Sequence, residues 1–264
     1  MNVQEGWFPG HQERELFFRR VAPPAPRALV ILIHGFGEAG YAAYIHDLRG
    51  HGHSARLAAD MEGLDSVVED IHSLTERAKR EISGVRAVLI GHSMGGLLAL
   101  NQLLRCQSDY SLCVTSAASL LPPENAGKLA LAMAGLLAKI APRLRLSPLQ
   151  QGVFTRNDEM VARDDADPLL YRGGFRARTG HELLQTQLRL SKQMGEITLP
   201  LLALHGGGDL VMSPKATDLR IEGVGSEDKT KHVFPGLYHE VFNEPERDAV
   251  FDAVFRWLDA RLPR

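Results

Sequence analysis

The chain contains several continuous runs of apolar residues, and most of these runs end in glycine. They are RALVILIHG (27–35), RAVLIG (86–91), SLCVTS (111–116) and LPLLALHG (199–206). Strands of a parallel sheet are buried on both faces and have such uninterrupted apolar runs. In a strand with one solvent-exposed face, apolar and polar residues alternate instead. The runs therefore predict the central strands of a parallel sheet.

Segments with helical spacing of apolar residues lie between these runs. A charge-rich helix is expected over 61–82, a second over 96–104, a short third over 213–223 and a last one over 245–262. Further strands are expected over 13–21, 41–47 and 229–236. Alternating strands and helices predict an α/β fold, with a mostly parallel central sheet and helices on both faces.

The alternation is interrupted between residues 120 and 193. That segment holds an apolar helix, LALAMAGLLAKIA (129–141), then a long polar loop and a second helix, HELLQTQLRLSKQM. We expect it to form a helical cap (lid) inserted into the sheet. The predicted domains are a core formed by 1–119 and 194–264, and a cap formed by 120–193.

One connection is too short for this pattern. About seven residues, 34–40, separate the run that ends at Ile33 from the strand that begins at Tyr41. Parallel neighbours need a crossover of a dozen or more residues, usually a helix. Seven extended residues reach about 24 Å, and a six-residue strand is about 20 Å long. We therefore expect an extended return, with the helix missing.

Composition narrows the class of protein. The 264 residues are 44% hydrophobic and 23% charged, with a net charge of -2, which predicts a globular chain and no nucleic-acid partner. The acidic N-terminus lacks a signal-peptide pattern, and the longest apolar stretch is interrupted by Lys139 and shorter than a membrane span. Cys106 and Cys113 are expected to be reduced core thiols in a cytoplasmic protein.

The strongest chemical signal is GHSMG, residues 91–95. It fits the pattern G-x-S-x-G and lies between a predicted strand and a predicted helix, the context of a nucleophile elbow. Such a turn exposes its serine at a helix N-terminus, where the helix dipole favours negative charge. We expect Ser93 to be a nucleophile, although G-x-S-x-G alone is also found in ordinary glycine-rich turns.

A nucleophilic serine needs a base and a carboxylate that orients the base. In this context the order along the chain is Ser, Asp or Glu, then His. Asp209 follows the apolar run in HGGGD, and His239 follows the next strand in GLYHE. Asp209 could instead be a turn or helix-capping residue, and His239 a loop histidine.

The remaining histidines near these motifs are weaker candidates for a catalytic role. His92 is expected to pack beside the nucleophile, and His51 and His53 to be structural, whereas His205 has no assigned role. An oxyanion needs two N–H donors. By position these are the backbone N–H groups of Met94, which follows the serine, and of Phe36 in HGFG.

Six motifs together resemble one family. They are HGFGE, DLRGHGHS, GHSMGG, DPLLYRGG, HGGGD and GLYHEVFNEP, and the similarity covers about residues 3–262. The chain resembles the monoacylglycerol lipase and lysophospholipase-like branch of the α/β-hydrolase fold. The resemblance implies Ser93 as nucleophile, Asp209 as acid and His239 as base.

The same resemblance implies more about the pocket. Phe36 and Met94 would form the oxyanion hole, Glu38 would lie near the glycerol end of the substrate, and the cap would cover an acyl tunnel. The sequence departs from the family where a helix of roughly four turns normally follows HGFGE. Either that helix is absent, or residues of the natural protein are missing from this sequence. A real deletion affects Phe36 and Glu38.

The leading hypothesis is a serine ester hydrolase that cleaves monoacylglycerols or similar single-chain esters through an acyl-enzyme on Ser93. The alternatives are a lysophospholipase, a short-chain carboxylesterase, and a non-catalytic scaffold. The apolar helix favours a lipid-like substrate but could also simply pack on the core. No cofactor or metal is expected, because no HExxH or Cys/His cluster with ligand spacing is found. Expected partners are a membrane surface, touched transiently by the cap, and a second copy of the chain.

Overall fold

The computed structural model describes residues 3–33, 41–118, 128–146 and 154–263, and within them eight strands form one sheet. The strands are β1 (Gln4–Pro9), β2 (Glu15–Val21), β3 (Leu29–Ile33), β4 (Ala42–His46), β5 (Ala87–His92), β6 (Leu112–Ser116), β7 (Leu201–Gly206) and β8 (Lys229–Phe234). Their order across the sheet is β1-β2-β4-β3-β5-β6-β7-β8. The pairs β1–β2 and β2–β4 are antiparallel and all later pairs are parallel. The predicted mostly parallel sheet is confirmed.

Helices connect and cover the strands. In the described part of the chain they are α1 (Leu64–Glu81), α2 (Met94–Cys106), α3 (Lys128–Ile140), α4 (Asp158–Ala166), α5 (Ala177–Gln193), α6 (Pro214–Gly223) and α7 (Arg247–Asp259). Helix α1 begins three residues later than expected, because Gly63 precedes it with a φ of 130°, far from helical values. Within these residues, no helix has the length and apolarity needed to cross a membrane.

The two faces of the sheet bury alternate residues of each central strand. From β3, Leu29 and Ile31 pack into a cluster with α1 and α2, whereas Val30 and Leu32 pack into a second cluster with α7. Every residue of β3 is buried. Cover on both faces is the physical reason for the uninterrupted apolar run.

Strand β1 was missed by the sequence analysis. Its sequence QEGWFP contains Gly6 and Pro9, which are unfavourable inside a strand. It lies at the edge of the sheet and pairs on one side only, with Trp7 opposite Phe17. An edge strand tolerates glycine and proline because half of its backbone groups face away from the ladder.

The short connection joins two parallel neighbours. Strands β3 and β4 are paired with Leu29 opposite Ala42, so the chain has to return along the length of β3 between Ile33 and Ala42. Residues 34–40, including Phe36 and Glu38, lie outside the described residues. The expectation of an extended return and the expected roles of these two residues therefore stay predictions.

The segment 120–193 contributes α3, α4 and α5. Helix α5 packs on the core: Leu190 is buried against the sheet cluster, and Arg189 Nη2 donates to Asn101 Oδ1 of α2 at 2.9 Å. At its N-terminal end, Glu182 accepts a hydrogen bond from the N–H of Leu64 at 2.6 Å. Helix α3 instead carries exposed apolar side chains.

The two cysteines are free. Cys113 of β6 is buried, and burial raises the pKa of its thiol. Cys106 at the end of α2 is only half-buried, so just one of the two is a core residue. Burial and the neighbouring carboxylates of Asp109 and Glu69 raise the pKa of Cys106 as well.

Candidate active site

A sharp turn between β5 and α2 presents Ser93. Its φ of 53° and ψ of -117° lie in a region that non-glycine residues rarely adopt. The turn is held by the N–H of Ser93, which donates to the carbonyl of Ser116 at 2.8 Å. The strain therefore persists because the neighbouring strand β6 fixes the backbone.

The glycines of GHSMGG are required by close backbone approach. A Cβ on Gly91 would overlap the carbonyl of Gly95, and a Cβ on Gly95 would overlap the carbonyl oxygen of Ile33. A Cβ on Gly96 would crowd Ala118. The tight fit brings the N-terminus of α2 directly against the ends of β3 and β6.

Ser93, His239 and Asp209 form one hydrogen-bonded chain. Ser93 Oγ lies 2.8 Å from Nε2 of His239, and His239 Nδ1 lies 2.7 Å from Oδ2 of Asp209. Asp209 and His239 follow β7 and β8, whose carboxyl ends lie at the same edge of the sheet as that of β5. His239 is 1% exposed, so the chain of hydrogen bonds is shielded from competing water.

The carboxylate of Asp209 is fully supplied with donors. Oδ1 accepts from the N–H groups of Val211 and Met212 at 2.7 and 2.9 Å, and Oδ2 lies 2.9 Å from His205 Nε2. Burial works to raise the pKa of Asp209. The hydrogen bonds from His205, His239 and Met212, with the charge of His239, outweigh burial and hold that pKa well below its ordinary value.

Met94 is the first residue of α2. An N–H in the first turn of a helix has no partner inside the helix and points along its axis. The N–H of Met94 therefore lies at the end of α2 that adjoins Ser93, and its role as an oxyanion donor stays a prediction. Phe36, the second expected donor, lies outside the described residues.

The neighbouring histidines contact side chains and backbone around the candidate site. The ring of His92 lies 5.0 Å from that of His239, and its Nδ1 lies 3.3 Å from Ser116 Oγ. His51 Nδ1 lies 3.0 Å from the carbonyl of Arg49, and burial lowers the pKa of His51. His53 packs on Phe17 with ring centroids 4.6 Å apart.

The motif DLRGHGHS is anchored by a buried ion pair. Arg49 Nε and Nη2 donate to the two oxygens of Asp70 on α1 at 2.5 and 3.0 Å. Arg49 Nη2 also donates to the carbonyl of His11 at 2.5 Å. The pair ties this loop to α1 and the N-terminal turn, which is a structural role.

A cavity of about 490 Å³ lies beside His239. Phe154, one of its lining residues, packs edge-on against His239 at 5.8 Å, and another, Glu240, follows His239 in the chain. Leu169, Leu170 and further residues between 154 and 175 form much of its wall. Ser93 does not line it among the residues described, so the cavity adjoins the hydrogen-bonded chain without containing the serine. Burial raises the pKa of Glu240 there.

One group of possible metal ligands was missed from the sequence. The side chains of His72, Cys106 and Asp109 approach each other near the amino end of β6, at the opposite edge of the sheet from Ser93. Asp109 accepts from Lys79 Nζ at 2.8 Å and lies 2.9 Å from His72 Nδ1. These contacts already satisfy the carboxylate, so the group is an ion-pair network remote from the candidate site.

The chain matches known families and proteins over most of its length. Residues 24–246 match the family described as serine aminopeptidase, S33 (Hydrolase_4). A monoacylglycerol lipase of Mycolicibacterium smegmatis is 32% identical over 251 residues, which are 90% of each chain. The phospholipase YtpA of Bacillus subtilis is 28% identical over 89% of this chain and 96% of its own.

A solved structure shares the fold. The crystal structure of the monoacylglycerol lipase of Paleococcus ferrophilus superposes with a TM-score of 0.81 at 27% identity, over 94% of this chain and 99% of that one. The sequence match and the fold agree with each other and with the hydrogen-bonded serine, histidine and aspartate. The chain therefore belongs to the serine aminopeptidase S33 (Hydrolase_4) family and is a serine hydrolase with the α/β-hydrolase fold.

Proposed function

We propose that the protein hydrolyses monoacylglycerols or similar single-chain carboxylic esters through an acyl-enzyme on Ser93. The observation that carries the proposal is the continuous hydrogen-bonded chain from Ser93 Oγ through His239 to Asp209, at 2.8 and 2.7 Å. Such a chain is the arrangement that activates a serine for acyl transfer.

The tautomer of His239 sets the direction of proton transfer. Asp209 is ionised, so His239 Nδ1 carries the proton and donates to Oδ2, which leaves a lone pair on Nε2. Nε2 accepts the proton of Ser93 as Oγ attacks the ester carbonyl carbon. The imidazolium then returns that proton to the leaving alcohol as the C–O bond breaks.

The second half of the reaction uses the same groups. Water enters after the alcohol leaves, and His239 Nε2 takes a proton from it while its oxygen attacks the acyl carbon. The collapse of the intermediate releases the carboxylic acid and returns the proton to Ser93. In both halves the N–H of Met94 stabilises the oxyanion, with the N–H of Phe36 as the proposed second donor.

The substrate class rests on the relatives and on the cap. The relatives named as monoacylglycerol lipases support a single-chain glycerol ester, and Glu38 is proposed to contact the glycerol end. Because the Bacillus relative is named as a phospholipase, a phospholipid or lysophospholipid is the second candidate substrate. Both substrates carry one long acyl chain at the ester carbon that Ser93 would attack.

The cap is proposed to contact lipid surfaces transiently. Met133, Leu136 and Ile140 of α3 are 56%, 50% and 72% exposed, at a spacing that places them along one side of the helix. Leu144 and Leu146 extend the apolar surface. Exposed apolar surface of this kind marks an interaction site.

A homodimer through the sheet face that carries α7 is the remaining proposal about partners. On that face of the edge strand, the side chain of Trp7 is 49% exposed and lies 5.4 Å from the ring of Phe17.

A cytoplasmic location is proposed from the two free thiols, which suit a reducing compartment.

The test combines a chain-length series with active-site labelling. We expect hydrolysis of medium- and long-chain monoacylglycerols to exceed that of short p-nitrophenyl esters and of lysophosphatidylcholine, with no release from aminoacyl p-nitroanilides. Best activity on acetate esters, with none on monoacylglycerols, would contradict the proposed substrate.

The same experiment includes a matched pair of serine variants. Ser93→Ala should lower kcat by roughly 10⁴-fold or more and abolish labelling by a fluorophosphonate probe. Ser191→Ala on the exposed side of α5 is the control and should label like the parent. Equal labelling of Ser93→Ala and the parent would refute the acyl-enzyme mechanism.

A further inference from the structure

His205 contacts the same carboxylate oxygen as the base. It lies near the end of β7, its side chain is 0% exposed, and its Nε2 is 2.9 Å from Asp209 Oδ2. The same nitrogen lies 3.0 Å from the carbonyl of Met212. Its other nitrogen, Nδ1, is 2.6 Å from the hydroxyl of Thr217 on α6.

The protonation of the ring follows from its partners. An ionised carboxylate and a backbone carbonyl only accept hydrogen bonds, so His205 Nε2 carries a proton and donates to Asp209 and Met212. In the neutral ring Nδ1 then accepts from the hydroxyl of Thr217. The acceptors at Nε2 thereby fix the tautomer, and the hydroxyl of Thr217 satisfies the other nitrogen of the ring.

Asp209 Oδ2 consequently receives N–H donors from two imidazoles, His205 and His239. A donor on a carboxylate withdraws charge from it and lowers its ability to stabilise a neighbouring cation. The cation formed during the reaction is the imidazolium of His239. His205 thus acts on the base through the oxygen that they share.

We propose that His205 is a positioning residue, which fixes the carboxylate of Asp209 and sets the pH at which His239 becomes a competent base. The proposal rests on the proposed esterase function. His205 touches neither substrate nor Ser93 Oγ, so its effect should be seen in the pH profile and in kcat, and not in KM.

Two amide variants separate this role from packing. In His205→Gln the amide nitrogen can reach the position of Nε2 and still donate to Asp209. In His205→Asn the side chain is too short to reach Oδ2 but can still bond Thr217. Both replacements are polar and neutral, so the difference between them isolates the donor to Asp209.

The measurement is kcat/KM for a monoacylglycerol from about pH 5 to about pH 9. In His205→Asn we expect kcat to fall about tenfold with KM nearly unchanged, and the acidic limb to move up by about half to one pH unit, because the imidazolium is better stabilised. His205→Gln should restore most of the rate and shift the limb less. An unmoved acidic limb in His205→Asn, or equal losses in the two variants, would overturn the proposal.

A second measurement needs no turnover and no folded Asn variant. Proton NMR of the parent, labelled with ¹⁵N in histidine, should show two strongly downfield N–H signals, from His205 and His239. Only the His205 signal should disappear in His205→Gln. A single downfield signal in the parent would overturn the proposal. A parent that shows both signals but hydrolyses no ester would refute the proposed function and leave the positioning role of His205 intact.

Discussion

At the scale of the residue, the candidate site depends on the backbone of one turn. Ser93 holds an unfavourable φ of 53°, and the glycines on either side of it remove the Cβ atoms that would otherwise collide. In this conformation Oγ lies 2.8 Å from Nε2 of His239, and Met94 begins α2 directly after the turn. Small displacements here should affect both the hydrogen bond of Ser93 and the position of the Met94 N–H, the proposed oxyanion donor.

Gly95→Ala is expected to disturb this turn. The new Cβ would overlap the carbonyl oxygen of Ile33, so β3 and the turn would have to move apart, which should lower stability by about 1–3 kcal/mol and reduce kcat. Thermal unfolding and ester hydrolysis would measure the two effects.

The control for that substitution is Gly195→Ala. A Cβ on Gly195 would meet the carbonyl of Gly223 at 3.9 Å, which is ordinary contact. The control should keep the activity and the unfolding temperature of the parent. Parent-like behaviour of Gly95→Ala would show that the turn adapts without loss.

At the scale of the element, the helices of the segment 120–193 differ in what they cover. Helix α5 buries Leu190 against the core and bonds α2 through Arg189, as a helix of the core layer would. Helix α3 leaves Met133 and Leu136 about half exposed. The predicted cap boundary at residue 193 stays a prediction, and these contacts favour placing α5 with the core.

The exposed side of α3 should matter only when the substrate is in a lipid phase. Replacing Met133 and Leu136 by glutamine is expected to reduce binding to phosphatidylcholine vesicles and the hydrolysis of vesicle-borne monoacylglycerol several-fold. Both side chains are about half exposed and the change removes apolar surface, so hydrolysis of a water-soluble p-nitrophenyl ester should stay at the parent rate.

The matched control is Lys139→Gln on the same helix. This substitution changes a polar side chain and leaves the exposed apolar residues of α3 unchanged. It should behave like the parent on vesicles. An equal loss on both substrates in the double glutamine variant would indicate a packing defect in the cap. Parent-like vesicle binding would contradict lipid contact through α3.

At the scale of the whole molecule, the helices that the structure describes cover the two faces of the sheet unequally. One face packs against α1, α2 and α5, and the other packs mainly against the C-terminal α7. Strands β1 and β2 extend the sheet beyond α7, where Trp7 remains half exposed.

The dimer proposal belongs to this scale. If a second copy covers the exposed face, light scattering should give twice the 29.1 kDa chain mass, and Trp7→Lys should shift the population towards monomer. Val3→Lys, another exposed apolar position near the same edge, should add to that shift. A monomer at all concentrations up to about 100 μM would rule the dimer out.

The sequence predicted those features that depend on local pattern. The apolar runs indicated which strands are buried on both faces. Because Ser93, Asp209 and His239 follow such strands, the sequence placed them at the same edge of the sheet. It failed at β1, because the glycine and proline in QEGWFP hide an edge strand that depends on pairing with β2. A buried histidine four residues before Asp209 was a usable signal for His205, since a buried imidazole requires partners.

The sequence alone thus determined the central parallel strands and singled out the candidate serine, aspartate and histidine, since burial and strand polarity leave a pattern in short segments. Only the tertiary structure decided their hydrogen bonds, because Ser93 and His239 are 146 residues apart and meet through the pairing of four adjacent strands, β5 to β8. Tertiary packing also decided that His205 shares an oxygen with His239 and that α3 exposes an apolar side. The shared oxygen depends on His239, which is 30 residues from Asp209, and the exposure of α3 depends on what packs around the helix, so a local pattern does not determine either.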